Sequence, residues 1–278
     1  MLRDTTLSFI GCGVMAEAMI KGILNQKLIE PERITASEPR LERAQEMHGR
    51  YAIRTTKDNR AAVRDAKIIV LSVKPQTLPK ILPEIHGDVS ADVLVISIVA
   101  GMRISLIQRG LGVEAIVRSM PNTPGQIGRG MTVWTATEAV GEAQRRQAQA
   151  ILGALGKELY VTDEGYLDMA TALSGTGPAY VFLFMEALID AGVHMGFSRH
   201  VAEELVYQTM EGSVVMARET ALHPTELRNQ VTSPGGTTAE ALYQLEKGGL
   251  RTVISKAVWA AYQRSKALGE SENGPTAR

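Results

Sequence analysis

The sequence predicts an α/β protein in two parts, a doubly wound parallel sheet followed by an all-α region. Short apolar runs and helical patterns rotate strictly up to about residue 160, and no convincing strand pattern follows Thr162. Aromatic residues make up only 5% while Ala, Val, Ile, Leu and Met are plentiful, a mix that suits helices and buried parallel strands better than a β-sandwich. Of the 278 residues 45% are hydrophobic and 22% charged, ample apolar material for two cores. Thirty basic residues balance thirty acidic ones, so no basic field invites nucleic acid. No apolar run approaches the roughly 18 residues of a membrane span, so no membrane partner is expected. Met1 to Phe9 run into a strand pattern without a signal-peptide signature, and the single cysteine suits a reducing compartment. A cytoplasmic location is the expectation.

In chain order, residues 6–10, 34–37, 68–73, 93–99, 115–119 and 131–135 read as strands, several of them apolar at nearly every position. That pattern marks parallel strands covered on both faces. Helical patterns fall near 15–25, 40–49, 58–65, 76–86, 103–109 and 139–155, and strict rotation implies right-handed βαβ units. Helices are then expected near 165–173, 178–195, 199–219, 224–231, 238–247 and 249–268. Val181, Phe184, Leu188 and Ala191 recur at helical spacing. Leu183, Met185 and Ile189 beside them are apolar too, so this helix is expected to be buried on most sides. Such helices make a thin bundle, which is expected to complete its core against another subunit. The division expected is 1–162 for the sheet domain, 163–268 for the helical domain and 269–278 for a polar, disordered tail.

The first strand ends in Gly11-Cys12-Gly13-Val14-Met15-Ala16 and leads directly into a helix. Gly11 permits the tight turn, Gly13 lets a diphosphate approach the backbone, and Ala16 keeps helix and sheet close. The diphosphate would sit over free N–H groups at the helix N-terminus. This is a Rossmann-type dinucleotide fingerprint in its proper context, the first strand–helix junction of an alternating chain. Cys12 reads as a small loop residue, with no His or Asp beside it in sequence to activate it. After the second strand, Glu38 stands where an acidic residue takes the ribose diol of NAD, while Ser37 and Arg40 could instead cradle the 2′-phosphate of NADP. Both readings stand. Ser72-Val73-Lys74-Pro75 and Ile98-Val99-Ala100-Gly101 follow later strands at the same sheet edge, where open α/β sheets bind ligands. Lys74 is either a ribose or phosphate contact or a solvated residue at a helix start.

The helical half has two glycine-rich interruptions, Leu173 to Tyr180 and Val231 to Glu240. In the second, Thr237 reads as an N-cap with Glu240 completing a capping box. Gly235 and Gly236 would open backbone N–H groups to a carboxylate, although an ordinary capped helix start explains the pattern about as well. No metal-ligand spacing is present, and the five histidines are scattered. Hydride transfer needs neither metal nor nucleophile, since the cofactor carries the chemistry.

Five segments in order resemble the pyrroline-5-carboxylate reductase family: residues 9–16, Val73-Lys74-Pro75, Met120-Pro121-Asn122-Thr123-Pro124, residues 175–180, and Ser233-Pro234-Gly235-Gly236-Thr237-Thr238. The similarity spans roughly residues 6 to 268, and the last motif is the most specific. The resemblance implies reduction of 1-pyrroline-5-carboxylate to L-proline with NADPH or NADH, NADPH being the one it favours, and no metal. It implies cofactor contacts at Gly11, Cys12, Gly13, Val14, Met15, Ala16, Ser37, Asn59, Val73, Lys74, Pro75, Ala100 and Gly101, to which the residue reading adds Glu38. Substrate contacts would fall on Glu164, Gln230, Gly236, Thr237 and Thr238. Position 230 is Gln where some members have Asn. Thr238 is the catalytic candidate, but a threonine hydroxyl is a poor acid, so an imine that arrives protonated is the preferred reading. The resemblance also implies dimers through the helical half, often assembled into rings, such as a decamer of five dimers. Two rivals remain: a β-hydroxyacid dehydrogenase-like oxidoreductase and a non-catalytic dinucleotide sensor. The first looks for a lysine on the helix after the second glycine motif, and residues 178–191 carry none.

Overall fold

The computed structural model describes Leu2 and residues 4–272. They form two compact units. One comprises the chain up to Thr176 together with the chain from Ala260 onward, and the other runs from Gly177 to Trp259.

The first unit is built on eight strands: β1 (Leu7–Ile10), β2 (Ile34–Ser37), β3 (Arg54–Thr56), β4 (Ile68–Leu71), β5 (Leu94–Ser97), β6 (Ile116–Met120), β7 (Gly130–Ala136) and β8 (Gly156–Tyr160). Their spatial order is β3-β2-β1-β4-β5-β6-β7-β8. Helices α1 (Val14–Asn25), α2 (Leu41–Tyr51), α3 (Asn59–Val63), α4 (Leu78–Ile85), α5 (Ile104–Leu111) and α6 (Glu142–Gly153) connect them, and α7 (Tyr166–Ala170) follows β8. Strands β1, β4 and β5 are buried at every position, as their largely apolar sequences, interrupted only by Ser8 and Ser97, imply. Successive side chains point to opposite faces. Phe9 therefore joins a core with Met19, Ile20 and Met47, while Ile10 joins the opposite core with Ile69, Leu82 and Ile107.

Three features depart from expectation. β3 and β8 were not anticipated: Arg54-Thr55-Thr56 is polar and partly exposed at the sheet edge, and β8 alternates half-buried with exposed positions. An edge strand lacks the two-sided burial that makes an inner strand visible in sequence. The sheet is also not wholly parallel, because β7 runs antiparallel to β6. Only residues 121–129 link the two, too short for the dozen or so residues of a parallel crossover. The glycine-rich stretch from Leu173 is no interruption either. The chain passes from α7 into a π-helical stretch, Thr171–Gly175, and on into the next helix. Gly175 leaves room for the end of the Met120 side chain, whose Cε would lie 2.8 Å from a Cβ there.

The second unit holds α8 (Gly177–His194), α9 (Arg199–Thr220), α10 (Pro224–Gln230), α11 (Thr237–Lys247) and the start of α12 (Leu250–Glu272). Gly192 of α8 lets α9 close in, its built Cβ lying 3.0 Å from Ala202 Cβ. The hydroxyl of Ser198 caps α9 by accepting from the Val201 N–H. The expected burial of α8 does not hold within the chain. Only Ile189 and Gly192 are buried among its described residues, and Phe182 and Leu183 are 59% and 66% exposed. Residues 166–194, read helix by helix in sequence, form one continuous 29-residue helical stretch long and apolar enough to cross a membrane. Glu186 and Asp190 interrupt it, so it is no unbroken apolar run. The expected tail begins inside α12, and residues 273–278 lie outside the described residues.

Candidate active site

The strand order reverses between β1 and β4, and the loops leaving their carboxyl ends diverge there. In open α/β sheets that crevice is where ligands bind. Two glycines shape the first loop. Gly11 has φ +90, and a Cβ on it would approach Val73 Cγ1 to 2.9 Å and the Ser72 carbonyl oxygen to 3.0 Å. Only glycine fits there. Gly13 instead has ordinary extended backbone, is exposed, and would place a Cβ in open space with nothing within 4 Å. It is the N-cap of α1, which has no side-chain cap. The first-turn N–H groups of α1 are thus turned outward beside a bare backbone, a cradle for a diphosphate.

The rest of the loop is tied down. The Gly11 N–H donates to the Ser37 carbonyl at 3.0 Å. The Ser72 hydroxyl lies 2.8 Å from the Gly11 carbonyl, and Arg43 Nε donates to the Cys12 carbonyl at 3.0 Å. Arg43 in turn pairs with Glu17 at 2.5 Å and Glu46 at 2.7 Å. Cys12 is buried, and that burial pushes its thiol up to about 11, with Arg43 offsetting only part of the effect. The thiol is thereby held protonated near neutral pH, and both backbone groups of Cys12 are engaged, the carbonyl with Arg43 and the N–H with Glu38. Val14 is 61% exposed, Met15 is half-buried and Ala16 is buried against the sheet.

Of the other expected cofactor residues, Ser37 is 1% exposed and its hydroxyl donates to Asn59 Oδ1 at 2.6 Å. Asn59 donates onward to the Glu84 carboxylate at 3.1 Å. The Ser37 proton is thus engaged with Asn59 rather than turned to the crevice. Glu38 is buried and paired with Arg40. Val73 packs against Gly11, Lys74 is exposed, and Pro75 opens a 3-10 turn. Ala100 is half-buried. Gly101, with φ +76, is approached by Leu268 Cβ at 3.2 Å, so its missing side chain admits α12.

Glu164 does not stand free. Its Oε1 accepts from Arg118 Nη1 and from the Ile104 N–H, both at 2.8 Å. Arg118, only 3% exposed, also lies 3.6 Å from Asp168, which accepts from the Ser265 hydroxyl at 2.9 Å. This cluster binds β6, α5, α7 and α12 together. Sequence reading missed it, although an arginine inside the apolar strand Ile-Val-Arg-Ser-Met is the signal that could have found it, because a buried charge needs partners. The tie between Arg43 and Cys12 carried no comparable signal.

The remaining expected residues lie in the second unit. Gln230 ends α10 and is exposed. Gly236, not Thr237, is the N-cap of α11, so the expected capping box is absent and Thr237 is the first helical residue. The Ser233 hydroxyl occupies the space a Cβ on Gly236 would take, and with glycine at the capping position the helix has no side-chain cap. Thr237 is exposed and Thr238 half-buried in that first turn.

Residues 164–268 match a family model described as pyrroline-5-carboxylate reductase dimerisation, and residues 6–101 match one described as NADP oxidoreductase coenzyme F420-dependent. The chain is 42% identical over 264 residues to the pyrroline-5-carboxylate reductase of Synechocystis sp., covering 95% of this chain and 98% of that one. The chain belongs to the pyrroline-5-carboxylate reductase family. The Pseudomonas aeruginosa reductase is 39% identical over 95% of this chain and 97% of its own. A Plasmodium falciparum pyrroline carboxylate reductase crystallised with NADP superimposes with TM-score 0.89 at 35% identity, covering 97% and 100% of the two chains. The Coxiella burnetii pyrroline-5-carboxylate reductase gives 0.86 at 38%, covering 96% and 99%. The expected fold class holds, and with it the expected class of enzyme, an NAD(P)-dependent oxidoreductase. Family members of this kind carry a dimerisation segment, which coincides here with the exposed apolar helices.

Proposed function

We propose that this chain reduces 1-pyrroline-5-carboxylate to L-proline, taking hydride from NAD(P)H, the last step of proline formation. The observation that carries the proposal is the bare, uncapped backbone at Gly13, opening on the crevice where the strand order reverses, in a chain related to these reductases over 95% of its length.

The residues fit a dinucleotide. Gly11 and Cys12, whose N–H groups are bonded to Ser37 and Glu38, would shape the turn. Gly13 to Ala16 would hold the diphosphate by first-turn N–H groups and the positive end of α1, with Ser37, Glu38 and Asn59 near the adenosine ribose. Val73, Lys74, Pro75, Ala100 and Gly101 would line the way to the nicotinamide. When bound, the coenzyme supplies the hydride. The turn from Gly236 to Thr238 would hold the substrate carboxylate with uncapped N–H groups and two hydroxyls, Gln230 standing at the end of the preceding helix. Fixing the carboxylate orients the imine carbon and makes transfer effectively unimolecular. Hydride adds to that carbon, and the nitrogen keeps the proton with which it arrives. Thr238 orients the ring rather than acting as its acid. Glu164, held by Arg118 and the Ile104 amide, would present a fixed carboxylate to the cationic imine.

The working division is a dinucleotide domain of residues 1–162 and a substrate and dimerisation domain of residues 163–268. We take the assembly to be a homodimer through that second domain, five dimers forming a decamer, in the cytoplasm and without nucleic acid or membrane partners. The apolar stretch at residues 166–194 is then subunit interface. Supporting this, the second unit has an apolar cavity of about 370 Å³ lined by Val181, Phe184, Met210, Val253 and Ile254 among others, a surface costly to leave in water. The β-hydroxyacid dehydrogenase reading lacks its lysine on α8, and a mere sensor would not need the turn at Gly236.

Coenzyme oxidation on mixing with pyrroline-5-carboxylate, run in parallel with NADH and NADPH and with L-proline identified as product, tests the proposal. Substrate-dependent oxidation is expected. No oxidation with either coenzyme, or turnover of a β-hydroxyacid instead, defeats it.

A further inference from the structure

Glu38 is the first residue beyond β2, at the wall of the crevice where the adenosine ribose would lie. Its side chain is only 5% exposed. The carboxylate accepts from the Cys12 backbone N–H and from three groups of Arg40: the backbone N–H at 3.2 Å, Nε at 2.9 Å and Nη2 at 3.4 Å. Burial pushes its pKa up, but the Arg40 bonds and charge outweigh burial and hold it below the ordinary carboxylate value. It is an anion at neutral pH.

The cations nearby have no charge to spare for a phosphate. Arg43 is committed to Glu17, Glu46 and the Cys12 carbonyl, and Arg50 to the same two carboxylates. Three carboxylates and three guanidinium groups (Glu17, Glu38 and Glu46 against Arg40, Arg43 and Arg50) thus balance around the loop. Ser37 has already given its proton to Asn59. Arg40 alone remains on the solvent side, its side chain 70% exposed. Solvent screens the Arg40 end of the pair, so its hold on Glu38 yields to other donors.

We propose that Glu38 sets the coenzyme preference of this reductase, accepting the 2′- and 3′-hydroxyls of an unphosphorylated ribose and repelling a 2′-phosphate, so that NADH is preferred over NADPH. This rests on the reading of the Gly11 to Ala16 loop as the dinucleotide site. A ribose diol offers two donors to a carboxylate that is fixed in place and already ionised. A 2′-phosphate would bring about two negative charges against that same carboxylate, with one guanidinium to offset both.

Equilibrium binding to the coenzyme-free protein, followed by calorimetry with NADH and with NADPH, tests this without reference to turnover. Wild type is expected to bind NADH about tenfold or more tightly than NADPH, a difference of about 1.4 kcal/mol. Glu38→Gln, which keeps the size of the side chain and most of its acceptor capacity, is expected to weaken NADH and tighten NADPH so that the ratio falls about tenfold. Arg40→Ala is expected to leave NADH preferred. Thermal unfolding identifies any variant whose loop has collapsed, in which case Glu38→Asp, retaining the charge, must keep the preference for NADH. Tighter binding of NADPH by the wild type, an unchanged ratio in Glu38→Gln, or a reversal to NADPH preference in Arg40→Ala overturns the inference while leaving the proposed reaction intact. Failure of both coenzymes to bind overturns the two together.

Discussion

Replacing Gly11 and Gly13 separately by alanine should split folding from coenzyme binding, two properties that one short loop combines. At Gly11 the backbone has φ +90, and a new Cβ meets Val73 and the Ser72 carbonyl at 2.9 and 3.0 Å. The unfavourable conformation costs about 1–3 kcal/mol, and forcing a methyl into packed surroundings about 1–3 kcal/mol more. Together these lower the melting temperature by roughly 5–20 °C in a chain of this size. At Gly13 the backbone, φ −74 and ψ −175, already suits alanine, and the methyl enters open space. Stability should change by less than about 1 kcal/mol, since the poorer cap and the stiffer unfolded chain nearly cancel. The methyl nevertheless stands where a diphosphate would approach, so coenzyme affinity should fall about tenfold or more. Scanning calorimetry and coenzyme titration on both variants provide the measurement. Full affinity in Gly13→Ala would mean that no diphosphate lies over that backbone. An unchanged melting temperature in Gly11→Ala would refute the strain argument.

Thr238→Ala should mainly raise KM for pyrroline-5-carboxylate and lower kcat only modestly, because the hydroxyl orients the substrate; steady-state kinetics with both constants unchanged would remove Thr238 from the substrate site. Arg118→Ala leaves Glu164 and Asp168 without their cation, and should cost about 3–5 kcal/mol in denaturant unfolding, whereas a loss under 1 kcal/mol would make the cluster incidental. Cys12, with its thiol raised to about 11 by burial, should react with iodoacetamide near pH 8 about a hundredfold more slowly than an ordinary thiol, and speed up once the protein is unfolded in guanidinium. Burial pushes the Glu17 carboxyl up, but bonds from Arg43, Tyr51 and Arg50 outweigh it and hold it below 4.5. Its ionic stabilisation is thus fully present above that value and lost as pH falls through the folded pKa. The gap in melting temperature between wild type and Glu17→Gln should therefore close in acid, and a constant gap would contradict the assignment.

The inner sheet was legible because β1, β4 and β5 are covered on both faces and their sequences are apolar at all but Ser8 and Ser97. The same rule hid β3 and β8, which lie at the edges, and no residue pattern announces that β7 reverses direction; only the shortness of its connection does. The glycine motifs were legible as glycines but not as geometry. Gly13 opens space for a ligand, whereas Gly101 and Gly175 open it for Leu268 and Met120, a distinction that depends on residues far away in sequence. Thr237 looked like a cap because threonine commonly is one, but the helix begins one residue earlier than that reading, with Gly236 as its cap. The fixing of Glu164 left only the hint of an arginine inside an apolar strand, because its partners at 104 and 118 lie on other elements and sequence spacing does not pair them.

The helices from Gly177 to Trp259 leave so much oil on the outside that a lone copy is a half-finished object. If pairing supplies the missing interior, dilution and heating act on the same equilibrium, and the temperature of unfolding must climb with protein concentration. A chain with a damaged interface would also reach beyond itself, because each sound copy it captured would share the loss.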